Sequence, residues 1–277
     1  MALLLHRLGI LLMPNTVAAI LLASFLALIV FGLAVIGFIM LWHIGAKGGH
    51  ASFNGMVMAL IVLVPVGLAT SRYVLLPEIH DVSTDVETAP EWLEEPVIQH
   101  SWLPRSNGDA PAARALQAAA YPQVTGRRYD GAIDRVALAV RTVVQQNKWR
   151  LVAKLGVDVM DDGLEPTSGG TDTQGAETTS NGEADPTRAP VPEARPDIEN
   201  ELLEPPPAYA LIQYQTKTLV LGIPQDILIR LVEEEETTFV DMRVATRDGN
   251  HDLGLNADLI RTFLRDLDVQ LLGIAGG

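Results

Sequence analysis

Hydrophobic positions along the chain follow two regimes. From Thr16 to Ile44 they are almost continuous, an uncharged run of 29 residues rich in Leu, Ile, Ala, Val and Phe, and a second uncharged run of 20 residues follows from Ser52 to Ser71. Each is long enough for a helix to cross a hydrocarbon core of about 30 Å. Pro65 in the second run kinks a helix in lipid without forbidding it. His43 to Ala51, with Gly45, Lys47, Gly48 and Gly49, reads as a tight polar turn, and Trp42 and Tyr73 stand where interfacial aromatics are expected. The pattern predicts a transmembrane hairpin over residues 16–76, with helices at about 16–44 and 52–72, after an N-terminal segment (1–15) too short to span. A cleaved signal peptide is the competing account of the first run, but that run is too long and a second follows it. Gly32 and Gly37 offer close helix contact without the GxxxG spacing.

Beyond Pro77 the apolar residues become periodic. Residues 77–120 carry Pro77, Pro90, Pro96, Pro104 and Pro111 together with Trp92 and Trp102, which predicts an extended connector packed on the domain or lying at the membrane surface, closed by a short helix at 112–120. An α+β domain is expected over 121–277. In it, Asp130 to Asn147 is an amphipathic helix with Ile133, Val136, Ala137, Val140, Val143 and Val144 on one face. Strands are expected at Trp149–Val159, Ala208–Thr218, Ile227–Val232 and Thr238–Thr246. Residues 161–207 are dense in Gly, Pro, Thr, Glu and Asp, cannot bury enough surface to offset their ordering entropy, and read as a disordered insertion at a hairpin tip. Glu233 to Glu236 guard the last hairpin against pairing with other chains. A small antiparallel sheet with two helices on one face is the natural solution.

The stretch Thr238 to Asn256 joins a strand to the final helix and holds most of the candidate chemistry. Val240, Met242 and Val244 face a core, and Asp241 and Arg243 face the other way. Arg247, Gly249, Asp252 and Gly254 follow within eight residues, the glycines being free to take positive φ, and Asn256 is a good N-cap for the helix that carries Leu259, Ile260, Phe263, Leu264 and Leu267. Two readings of the arginines stand side by side. In one they form an internal lock, with guanidinium forks bridging Asp252 or backbone carbonyls. In the other Arg243 and Arg247 meet a phosphate or carboxylate near a helix N-terminus, against the repulsion of Asp248 and Asp252.

Charge changes the picture further. The chain has 277 residues, 48% hydrophobic, and a net charge of −14, yet no acid precedes Glu78, so 17 basic residues face 34 acids after that point. A head with a formal charge of −17 repels nucleic acid and stays off anionic headgroups except where basic residues cluster. Cysteine is absent, which excludes disulfides, thiolate metal sites and cysteine nucleophiles. His80 and Asp81 with Asp85 raise the question of a metal, but a lone histidine beside carboxylates reads as surface decoration. No phosphate loop, nucleophile elbow or HExxH helix is present, so neither a catalytic residue nor a cofactor is expected.

Arg243-x-x-Thr246-Arg247-x-Gly249-x-x-Asp252-x-Gly254-x-Asn256 resembles the closing motif of domain of unknown function family 1499, R-S-x-S-R-x-G-x-x-D-x-G-x-N-x-x-R-I. Pro77-Glu-Ile-His80-Asp81-Val-Ser-Thr84-Asp85 resembles that family's P-x-I-x-D-I-T-T-D segment, and Tyr121-Pro122 its Y-P step. Val244, Leu259 and Gln225 depart from it, standing where serine, arginine and aspartate are usual. The resemblance implies a fold and little mechanism. With the acidic segment Glu78 to Glu95 it points to a bacterial inner-membrane protein with a periplasmic domain, although Arg7 and Arg72 against Lys47 lean slightly the other way. The expected function is a membrane-anchored, non-enzymatic accessory subunit that docks a membrane-protein partner. The alternative is a module binding a small anion or lipid headgroup at Arg243 and Arg247.

Overall fold

The computed structural model describes residues 13–45, 49–96, 110–156, 208–218 and 222–273. Segment 1–12, part of the connector (97–109) and the whole insertion expected at 161–207 lie outside the described residues. The two uncharged runs form helices α1 (Met13–Ile44) and α2 (Gly49–Leu75), both long and apolar enough to cross a membrane. Small residues make the seam between them: Ala27, Ala34 and Ala59 are buried, and a Cβ on Gly37 would strike Ser52. Gly32, expected to share that role, has nothing within 4 Å. Leu22, Phe25, Leu33 and Ile61 project outward, each more than half exposed.

Eight further elements and the final helix make the head: β1 (Asp81–Ser83), α3 (Pro111–Ala120), β2 (Arg127–Asp130), α4 (Ile133–Gln146), β3 (Arg150–Gly156), β4 (Tyr209–Lys217), β5 (Pro224–Glu233), β6 (Thr237–Thr246) and α5 (Leu255–Leu272). The six strands form one antiparallel sheet in the order β1-β6-β5-β4-β3, with β2 also on β6. The class is α+β, as the periodicity predicts. β1 pairs with the end of β6 (Val82 opposite Val244) and β2 with its beginning (Tyr129 opposite Thr238), so two short strands share one edge. Gly156 stands opposite Ala210, so the expected insertion leaves and re-enters the sheet at adjacent points.

One sheet face builds the core. Ile212, Ile227, Ile229, Leu231, Val240, Met242 and Val244 pack with Val136, Val140 and Val143 of α4 and Ile260, Phe263 and Leu267 of α5, all at most 2% exposed. Trp149 stacks on Phe263 with ring centroids 5.6 Å apart and tilts against Tyr214 at 6.3 Å.

The second face is not the solvated surface that alternation alone implies. Asp241, Arg243, Gln213 and Asp226 lie on it and are at most 4% exposed, because the connector from Thr84 to Glu94 crosses over it. Two glutamines fasten the chain there in the same manner. Gln213 accepts the Glu94 N–H at 2.9 Å and donates to the Glu94 carbonyl at 2.7 Å. Gln117 of α3 accepts the Ser83 N–H at 3.2 Å and donates to its carbonyl at 2.6 Å, satisfying the outer edge of β1 that would otherwise invite another strand.

Candidate functional site

The candidate residues gather where β1, β6, the following loop and the start of α5 meet. Each arginine finds a different aspartate. Arg243 forks onto Asp81 of β1 (2.7 Å from Nη2), donates to the Pro90 carbonyl at 2.8 Å, and lies 5.0 Å from the Trp92 ring centroid. Arg247 forks onto Asp226 of β5 with both bonds at 2.7 Å. A third pair went unmarked in the sequence: Arg230 of β5 donates to Asp241 directly across the ladder at 3.0 Å and to Asp85 of the connector at 2.9 Å. The signal for it was the register, which places residue 230 opposite 241. Paired forks of this kind are the strong form of the charge-assisted hydrogen bond.

Among the described residues, no arginine is hydrogen-bonded or ion-paired to Asp252. Its carboxylate instead accepts the N–H groups of Gly254 (2.8 Å) and Asn256 (2.9 Å), and so caps α5. The helix begins at Leu255, two residues earlier than an Asn256 N-cap requires, with Gly254 at φ 75° as its boundary, a conformation in which a Cβ is strained. Asn256 is therefore not the N-cap expected of it. It is fully buried, accepts from the Gln225 amide at 2.8 Å and donates to the His80 carbonyl at 2.7 Å, which ties α5 to β5 and to the chain entering β1. Gly249 also has positive φ, with open space where a Cβ would stand.

His80, Asp81 and Asp85 are not surface decoration. His80 and Asp81 are 2% and 9% exposed; the His80 carbonyl receives the Thr246 and Asn256 donors, and Asp81 is held by Arg243. Asp85 accepts the Thr88 N–H at 2.9 Å and the Arg230 guanidinium. Among the described residues no three His, Asp or Glu side chains are placed to hold a metal ion.

Electrostatics follow the geometry. Burial pushes the Asp241 carboxyl above the ordinary aspartate value against the pull of Arg230 and Thr84. Burial does the same at Asp252 against its two backbone donors. At Asp85 burial acts upward too, but Thr88 and Arg230 together outweigh it and hold the carboxyl low.

The two sequence stretches that carried the family resemblance, some 160 residues apart, thus form one unit: Arg243 holds Asp81, Thr246 bonds the His80 carbonyl, and Asp252 N–H donates to the Ile79 carbonyl. Residues 186–267 match the family model DUF1499, described as a protein of unknown function. The DUF1499 match takes in β4 to β6, the arginine loop and most of α5, and supports the resemblance drawn from the Arg243–Asn256 motif. The connector stretch around Asp81, gripped by residues of the matched range, lies upstream of it. No curated protein and no solved structure is significantly similar to the chain.

The head is joined to α2 by a further cluster that no local sequence pattern marks. His251 stacks on Tyr73 with centroids 4.7 Å apart, and its Nε2 lies 3.1 Å from the Tyr73 carbonyl and 3.2 Å from that of Leu76. Arg72, in the last turn of α2, reaches Asp258 of α5 at 3.3 Å.

Proposed function

We propose that the chain is a membrane-anchored, non-enzymatic accessory protein: α1 and α2 insert as a hairpin in a bacterial inner membrane, and the head, on the outer face, docks a protein partner of the same membrane. The anchor rests on the outward apolar side chains of both helices, which among the described residues have no partner in the head and are costly in water. The docking reading rests on one observation. At the corner formed by β3 and β4, Leu155 and Tyr209 are 51% and 48% exposed beside an edge strand that pairs, among the described residues, only with β4. An exposed edge with apolar neighbours is the feature that strand addition or a flat partner surface uses. The other reading, a free anion or lipid headgroup at Arg243 and Arg247, is weaker because each guanidinium is already engaged by its own aspartate.

The chain has no cysteine, so Leu155→Cys creates a unique thiol. In spheroplasts it is expected to react with a membrane-impermeant maleimide and, with a short bifunctional reagent, to give one discrete adduct with a membrane protein. Labelling only after lysis contradicts the outer face, and the absence of any discrete adduct contradicts docking at this corner. Turnover by the purified chain alone contradicts the non-enzymatic reading.

A further inference from the structure

Two cavities meet where α2 ends. One, about 250 Å³, is lined by Arg72, Leu76, Tyr121, Gly254, Asp258 and Arg261. The other, about 680 Å³, runs between α1 and α2 beside Leu28, Leu63, Val66, Gly67 and Val74. Both are also lined by Ser71 and Leu75, so a pocket with two arginines adjoins an apolar groove at the end of α2.

The arginine pocket is set for an anion. Asp258 accepts from Arg72 Nη1 at 3.3 Å and from Arg261 Nη1 at 3.0 Å, which holds two guanidinium groups beside one carboxylate. Each guanidinium has five N–H donors, and among the described residues the only other hydrogen bond of either is Arg72 to the Leu253 carbonyl at 3.4 Å. Below them Tyr121 is 6% exposed, with its hydroxyl buried and, among the described residues, without a hydrogen-bond partner, and its ring lies 5.5 Å from the Arg261 guanidinium carbon. An unsatisfied buried hydroxyl is destabilising, and a ligand oxygen would satisfy it. Asp252, the other charge acting on Tyr121 from the α5 side, is engaged by its two cap donors.

We propose that this double pocket binds one anionic phospholipid, its phosphate between Arg72 and Arg261 with the Tyr121 hydroxyl as a further donor, and one acyl chain along the groove between α1 and α2. Position favours lipid over a soluble anion. Arg72 lies in the last turn of an apolar helix, at the depth where basic side chains meet phosphate headgroups, and the adjoining groove offers a dissolved phosphate nothing. The inference rests on the hairpin being in lipid, and is independent of Arg243, Arg247 and the docking corner.

The test uses the full chain, extracted in mild detergent and exchanged against mixed micelles of phosphatidylglycerol and phosphatidylcholine, with bound lipid read by native mass spectrometry. Wild type is expected to retain phosphatidylglycerol over phosphatidylcholine by about tenfold or more, the discrimination of one good charge-assisted contact. The preference should disappear in Arg72→Ala/Arg261→Ala and fall in Tyr121→Phe, while Arg128→Ala, at an exposed ion pair with Glu234, keeps it. If the double alanine variant does not fold, Arg72→Gln with Arg261→Gln is read the same way. Equal retention of the two lipids, an unchanged preference in the double variant, or displacement of phosphatidylglycerol by inorganic phosphate overturns the proposal. Recovery of the chain without detergent is a different failure, that of the anchor.

Discussion

The buried arginines of the head are held by fixed carboxylates, and removing one partner of a pair exposes how much the fold depends on it. Arg243 and Asp81 have side chains 5% and 8% exposed, so Arg243→Ala leaves a carboxylate buried without compensation. The expected cost is about 3–5 kcal/mol in denaturant unfolding, and of the same order for Arg247→Ala, which strands Asp226 with its side chain 1% exposed. Equal, small losses for both would show that the pairs do not hold the fold. Asp85 gives a pH-dependent counterpart. Its folded value is lowered, so its contribution is present above the unfolded aspartate value, 3.8, and is lost as pH falls through the lower folded value. Asp85→Asn should therefore cost about 1–2 kcal/mol at neutral pH, with the gap to wild type closing in acid; a gap that widens in acid contradicts the assignment. Arg243 and Arg247 were legible in the sequence, because charges on an alternating strand and in the glycine-punctuated loop after it stand out, whereas Arg230 went unmarked. Their partners were not legible: Asp81, Asp226 and Asp85 are brought to Arg243, Arg247 and Arg230 by register and by the path of the connector, which no local pattern encodes. Asn256 was misplaced for the same reason, since a helix boundary set by Asp252 and the positive φ of Gly254 leaves the asparagine inside.

Among the elements, the connector is the one whose role changes most between sequence and structure. Its prolines predict an extended chain, and the described stretch from Thr84 to Glu94 is one, but it covers the polar sheet face instead of leaving that face to solvent. Gln213 is the fastening that can be removed with the least collateral change, since its amide bonds only the Glu94 backbone among the described residues. Gln213→Ala is expected to leave the strands intact while opening residues 85–96 to limited proteolysis that wild type resists there; unchanged resistance over those residues contradicts the role. Strands β4 and β6 were readable to within one residue at each end, and α4 and β5 to within three, because an apolar face at a period of 3.6 or 2 is a local signal. The pairing of β1 and β2 along one edge of β6 is a property of topology. It became visible only once two distant motifs were found in contact.

For the whole molecule, the segregation of charge along the chain anticipates its division into a helical hairpin without acids and an acidic head. What it did not anticipate is how closely the two are joined: Tyr73 stacked on His251, Arg72 on Asp258, and Gly254 so near Leu76 that a Cβ would lie 2.6 Å from its Cδ1. His251→Ala removes the stack and both carbonyl contacts, and should raise hydrogen exchange at residues 72–77 without lowering protection in β5 and β6; unchanged exchange at the junction contradicts a fixed stance of the head over the membrane. The lipid pocket and the docking corner both presuppose that α1 and α2 are in a bilayer. The most direct measurement is fractionation of the full-length chain from membranes washed with alkaline carbonate: it is expected to remain in the pellet and to be released only by detergent, whereas recovery in the aqueous supernatant would contradict the anchored architecture.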